Sequence, residues 1–160
     1  MREKILNYME KNSRVDIAEL ALRVGADEQA VLNELEAMEH ERIICGYHTL
    51  VDWDKVGVEK ATALIEVRVT PQRGEGFDKI AERIYKFEEV ESVYLMSGGF
   101  DLTVIIQGKT MREVSSFVSS KLAPMEAVLS TTTHFVLKKY KDDNVIMDEQ
   151  QKDMREVISL

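Results

Sequence analysis

The chain has 160 residues, 44% hydrophobic and 31% charged, with a formal net charge of -8, enough for one ordinary domain or two small ones. No apolar run approaches the roughly eighteen residues of a membrane span, and the start Met1-Arg2-Glu3-Lys4 lacks the apolar centre of a signal peptide; a cytoplasmic protein without membrane contact is expected. The single cysteine, Cys45, excludes an intrachain disulfide or a thiolate metal cluster and reads as a small buried apolar residue.

The acidity sits at the two ends. Residues 1–55 hold 7 Lys and Arg against 12 Asp and Glu, residues 56–141 hold 12 against 11, and residues 142–160 hold 2 against 6. Helical spacing begins with Ile5, Leu6 and Met9 and stops at Asn12-Ser13. Asp16 caps a second helix, with Glu19 in the capping-box position and Ile17, Leu20, Ala21 and Val24 as its apolar stripe; Gly25 stops it. Asp27 then caps a third helix whose inner face carries Val31, Leu35 and Met38. Three helices, the last two joined by a short glycine turn, predict a helix-turn-helix domain over residues 1–57. A winged form is expected, because Ile43, Ile44, Tyr47, Leu50 and Val51 read as a connecting strand. Trp53 reads as a half-buried anchor at the domain junction or at a subunit contact.

Residues 58–141 read strand, helix, strand, strand, helix, strand. Ala61 to Val69 alternates until Pro71 ends it, Phe77, Ile80, Ala81 and Ile84 form a helix, and Thr110 with Glu113 caps another bearing Met111, Val114, Phe117, Val118 and Leu122. The last strand spans Val128 to Lys138. This predicts an α+β chain whose second domain is a ferredoxin-like βαββαβ sandwich, both helices on one face of an antiparallel sheet. On the other face stand Leu64, Tyr94, Met96, Ile105 and Val136, an apolar surface that a second copy of the same sheet would cover about a two-fold axis. Residues 142–160 form an acidic tail in which Met147, Met154 and Ile158 have helical spacing.

The central hairpin, YLMSGGFDLTVII from Tyr94 to Ile106, carries the chemistry of the second domain. Gly98-Gly99 suits a two-residue turn and bares backbone N–H groups; with Ser97 before it and Asp101 after it, the turn offers donors and one carboxylate to a small polar ligand such as an amino acid. No catalytic constellation accompanies it. His40, His48 and His134 begin no metal-spaced pair, and there is no Walker loop, nucleophile elbow or GxGxxG, so neither metal nor cofactor is expected.

A helix-turn-helix ending in LALRVG, a helix running into IICGYHTLVDWDKVG, and a βαββαβ domain with SGGFDL at its hairpin resemble the Lrp/AsnC (feast/famine) regulators, from about Ile5 to Lys141. The resemblance implies a sequence-specific DNA-binding transcription regulator that dimerises through its sheet, assembles into octamers or other higher even-numbered oligomers, and responds to an amino-acid effector. It places that effector near Ser97, Gly98, Gly99, Phe100 and Asp101, in a site shared between subunits to which Thr131, Thr132 and Thr133 contribute. One departure bears on DNA. Recognition helices in the family usually begin Ser-Pro and carry arginines, whereas residues 27–41 hold six acidic residues and no Lys or Arg. Base reading of double-stranded DNA then falls to Glu28, Gln29, Asn33 and Glu36, with Glu34, Glu39 and Glu41 turned away. Phosphate contacts fall to Arg14, Arg23 and Arg42, along with Arg2, Lys4 and Lys11. Two other readings stand beside this one: an effector-binding assembly protein of the same fold with weak or lost DNA binding, and an enzyme on the same scaffold, such as the haem-precursor decarboxylases among related proteins, for which His134 on the sheet surface is the residue to watch.

Overall fold

The computed structural model describes residues 1–70, 74 and 76–147. The chain divides into two units, Met1–Val51 and Asp52 onward.

In the first unit, α1 (Arg2–Met9), α2 (Ile17–Val24) and α3 (Glu28–His40) enclose Ile5, Leu20, Ala21, Val31, Leu35 and Met38. Both predicted caps form: the Asp16 carboxylate accepts from the N–H groups of Ala18 and Glu19, and that of Asp27 from Ala30. The reciprocal half of the first capping box does not. Glu19 instead accepts from the Tyr8 hydroxyl at 3.2 Å and from Arg23 at 3.0 Å. Gly25, at φ +73°, turns the chain so that its own N–H and that of Ala26 both reach the Ala21 carbonyl.

The connecting strand does not form. Among the described residues, 45–51 are exposed and lie in no sheet, since alternation alone makes no strand without a partner for its N–H and C=O groups. Cys45 is exposed as well, its thiol donating to the Arg42 carbonyl at 3.1 Å.

In the second unit, α4 (Trp53–Val56) precedes β1 (Ala61–Val69), α5 (Gly76–Tyr85), β2 (Val90–Leu95), β3 (Leu102–Gly108), α6 (Met111–Phe117) with a π-helical turn (Val118–Leu122), and β4 (Val128–Phe135). The four strands form an antiparallel sheet in the order β2-β3-β1-β4, the expected ferredoxin-like arrangement. Ala63, Ile65, Val67, Leu102, Val104 and Ile106 face α5 and α6 and pack on Ile80, Ile84, Val114, Phe117 and Leu122. Each such side chain contributes about 1.5–3 kcal/mol by leaving water. Trp53 lies at the start of α4 with the Lys60 ammonium 3.9 Å from its ring centre.

Pro71 lies outside the described residues. β4 is shorter than its alternation suggested: pairing ends at Ala63↔Phe135, so Leu137 is exposed, and a register shift at Arg68/Val69 leaves Leu129 exposed too. The beginning of the tail is not helical. β5 (Lys141–Asp142) and β6 (Val145–Ile146) form a small hairpin turned by Asp143 and Asn144, both at positive φ, as Asp and Asn tolerate. Met154 and Ile158 lie outside the described residues.

Candidate DNA and ligand sites

Glu28, Gln29, Asn33 and Glu36 are all exposed on α3, the side opposite Val31, Leu35 and Met38. The Gln29 amide donates to the Asn33 side-chain oxygen at 2.9 Å, so the two groups able to read adenine are already coupled one helical turn apart. The basic groups are less available than the sequence suggested. Arg2 reaches across to bond Glu34 and, at 2.7 and 2.9 Å, Glu41, which raises its own pKa further and lowers that of Glu41. Arg23 is held by Glu19 and lies 4.8 Å from the Tyr8 ring centre. Arg14 and Arg42 are exposed.

Arg42 also terminates α3. Its φ of +56° is left-handed, and around it the Ile43 N–H bonds the Met38 carbonyl at 2.8 Å and the Arg42 N–H bonds Glu39 at 3.0 Å, the paired pattern in which glycine usually holds this position. Arg42→Gly removes a left-handed penalty of about 1–2 kcal/mol at an entropic cost of about 0.5–1. It is therefore expected to stabilise the helical unit by up to about 1 kcal/mol, read as slower hydrogen exchange in α3, while DNA affinity falls if Arg42 meets phosphate.

Tyr47, in the extended segment, donates its hydroxyl to Glu39 at 2.5 Å. That hydrogen bond, with lesser contributions from burial and from the negative charge of Glu39, pushes the phenol up to about 12. A raised phenol pKa favours the folded state below the ordinary value near 10, and that contribution disappears as pH rises through about 12. Because Tyr47 is half exposed, the stability involved is small, well under the nominal worth of the shift. Spectroscopic titration of Tyr47 is expected to give a midpoint near 12, returning to about 10 in Glu39→Gln.

The hairpin of the second unit is not the two-residue turn its glycines suggested. β2 and β3 last pair at Leu95↔Leu102, and the Met96 N–H bonds the Asp101 carbonyl at 2.8 Å, leaving Ser97, Gly98, Gly99 and Phe100 as a four-residue loop. Asp101 causes this. Its N–H bonds the Val67 carbonyl at 3.1 Å, and one carboxylate oxygen accepts from the Val69 N–H at 2.9 Å, so a side chain adds one more rung to the β1–β3 ladder. Gly98 has φ +151°, and a methyl group on Gly98 or Gly99 would meet nothing within 4 Å. The N–H groups of Ser97 to Phe100 find no main-chain acceptor among the described residues.

The three threonines divide. Thr131 pairs with Val67, the residue that also receives Asp101, so Thr131 and the loop flank one position of β1. Thr133 shares that face about 7 Å farther along the strand. Thr132, opposite Glu66, points to the other face, with His134, whose Nε2 lies 3.3 Å from Glu66. One protomer therefore cannot bring Thr132 into a site with Thr131 and Thr133. No local pattern of residues signals the Asp101 rung, which joins positions 32 apart. The Arg2 clamp has one local signal only, a surplus of glutamates on α3.

No helix among the described residues is long and apolar enough to cross a membrane, and no cluster there could hold a metal ion. Residues 62–146 match the model of the Lrp/AsnC ligand binding domain. An uncharacterised HTH-type transcriptional regulator of Bacillus subtilis, YugG, is 48% identical over 98% of this chain and 95% of its own. The leucine-responsive regulatory protein of Haemophilus influenzae is 26% identical, covering 90% of this chain and 86% of its own. A crystal structure of a transcriptional regulator from Neisseria meningitidis, in complex with L-Met, superimposes with a TM-score of 0.69 at 27% identity, covering 87% of this chain and 89% of that one. These relatives are regulators, not enzymes, which sets the decarboxylase reading aside. The chain belongs to the Lrp/AsnC family: it is a helix-turn-helix transcriptional regulator with a ligand-binding domain.

Proposed function

We propose that this regulator binds double-stranded DNA through the exposed face of α3, and that an amino acid held at the Ser97–Asp101 loop changes both its assembly and its DNA affinity. The observation that carries the reading is the loop itself: among the described residues, its N–H groups lack main-chain acceptors and lie beside a carboxylate that commits one oxygen to Val69 and keeps the other, inside the ligand-binding domain. A zwitterion finds donors for its carboxylate and an acceptor for its ammonium within one turn. The L-Met complex of the Neisseria regulator, and the name of the leucine-responsive relative, support the amino-acid class. Thr131, and Thr133 beyond it, are the β4 residues on the right face to join such a site, while Thr132 could join only in another protomer's. The outer sheet face, with Tyr94, Met96 and Val136 exposed, supports a homodimer as the building block of a higher even-numbered assembly such as an octamer.

A specific observation also favours the second reading, an effector-binding assembly protein with weak DNA binding. α3 is acidic, and Arg2 and Arg23 are committed to glutamates. Binding to the DNA upstream of its own gene, measured against salt, separates the two. A regulator built this way is expected to bind with a shallow salt dependence, and Glu36→Lys is expected to raise non-specific affinity and steepen the logarithmic slope by about 0.9 for the one phosphate gained. No sequence preference at any salt concentration would sink the first reading in favour of the second. Calorimetric titration with the twenty amino acids tests the effector.

A further inference from the structure

A second site, away from the hairpin loop, lies where the end of β3 meets α6. A cavity of about 280 Å³ opens there, with Ile106, Val114 and Phe117 among its apolar lining and Glu89 and Lys121 supplying opposite charges. Its size, at the bottom of the roughly 300–1,000 Å³ range of small-molecule pockets, excludes a nucleotide or a large cofactor. Lys121 is aimed by an irregular piece of backbone. In the π-helical turn Val118–Leu122 the Ala123 N–H skips one residue to bond the Val118 carbonyl at 2.8 Å. One extra residue in a turn rotates the side chains beyond it by about 100°. In this turn Leu122 is fully buried in the core, while the Lys121 ammonium bonds the Glu89 carboxylate and lies 5.7 and 5.8 Å from the ring centres of Phe87 and Phe117. Such turns cost helix stability and recur at functional sites.

We infer that this cavity binds a small zwitterion with an apolar body, namely a free α-amino acid with an aliphatic side chain. The ligand ammonium pairs with Glu89 and its carboxylate with Lys121, opening an ion pair that is half exposed and therefore worth little when left closed. The side chain lies on Ile106, Val114 and Phe117. Occupancy has a built-in reporter. Gln107, which lines the cavity, accepts from Lys60 at 2.9 Å, and Lys60 lies over the ring of Trp53, the only tryptophan.

The inference does not depend on the hairpin reading, and the experiment keeps them apart. L-leucine is titrated into the full chain while Trp53 emission and hydrogen exchange are followed, with isocaproate and isoamylamine as analogues lacking one charge each. Expected are a saturable Trp53 change, slowed exchange over residues 106–122, little response to either analogue, and an affinity at least about tenfold weaker in Lys121→Met, the loss of one charge-assisted contact. Glu89→Gln should behave alike, and Asp101→Asn should leave this response unchanged. Slowed exchange confined to residues 96–101 with Trp53 silent would overturn the second site while leaving the hairpin reading standing. Binding undiminished in both Lys121→Met and Glu89→Gln, or equal binding of the analogues, would overturn it as well.

Discussion

Asp101→Ala is expected to destabilise the second unit by about 1–3 kcal/mol, the cost of leaving a buried N–H without its acceptor. The group exposed to that loss is the N–H of Val69, a residue only 5% accessible, which finds the Asp101 carboxylate at 2.9 Å just where the β1–β3 backbone ladder has ended. Asp101→Asn behaves differently. It keeps an oxygen for Val69, so stability should fall by well under that figure, while the negative charge offered to a ligand ammonium is lost. Amino-acid binding at the loop is then expected to weaken by about 1.5–3 kcal/mol, roughly ten- to 150-fold. Chemical denaturation and calorimetry on both variants separate the roles. If Asn binds an amino acid as the wild type does, Asp101 is only a rung of the sheet; if Ala unfolds no more easily than the wild type, the rung itself is unimportant.

What could be read from the sequence divides along the reach of each interaction. Caps were legible because they are local: Asp16, Asp27 and Thr110 each reach an N–H two or three residues on. The buried face of the sheet was legible because period-two alternation in β1 and β3 has one reading once helices cover one side. The loop length was not. Gly98-Gly99 specifies a bend but not its size, which is set by Asp101 bonding β1 instead of closing a tight turn. The segment after Arg42 misled for a related reason. Its apolar alternation is real, yet a strand requires a partner, and Tyr47 takes Glu39 as its contact instead. Along Thr131 to Thr133 the alternation was in plain view, and applying it to β4 would have separated Thr132 from its neighbours. Acidic charge on α3 was visible too, but not that two of its neighbourhood's glutamates, Glu34 and Glu41, would share Arg2 and remove a cation from any phosphate contact.

Ile105→Glu is expected to abolish dimerisation, and the register of the sheet explains the choice. Ile105 lies opposite Leu64 on one side and Ser92 on the other, facing away from α5 and α6, with Tyr94 and Val136 exposed on the same surface. Packed against a second copy, that position would be buried, and an unpaired carboxylate there costs several kcal/mol. A two-fold axis applies the cost twice. Glutamate is preferred to arginine because Glu66, on the same face, could pair with an arginine and blunt the effect. The isolated unit should barely notice: Ile105 is outside the helix-covered core, and losing a β-branched residue from a strand costs about 1 kcal/mol or less. Light scattering at micromolar concentration should therefore find the wild type as a dimer or larger and Ile105→Glu as a folded monomer, with DNA affinity falling as paired half-site binding is lost. A wild-type monomer, or an Ile105→Glu variant of unchanged mass, would show that the sheet face is not where copies of this chain meet.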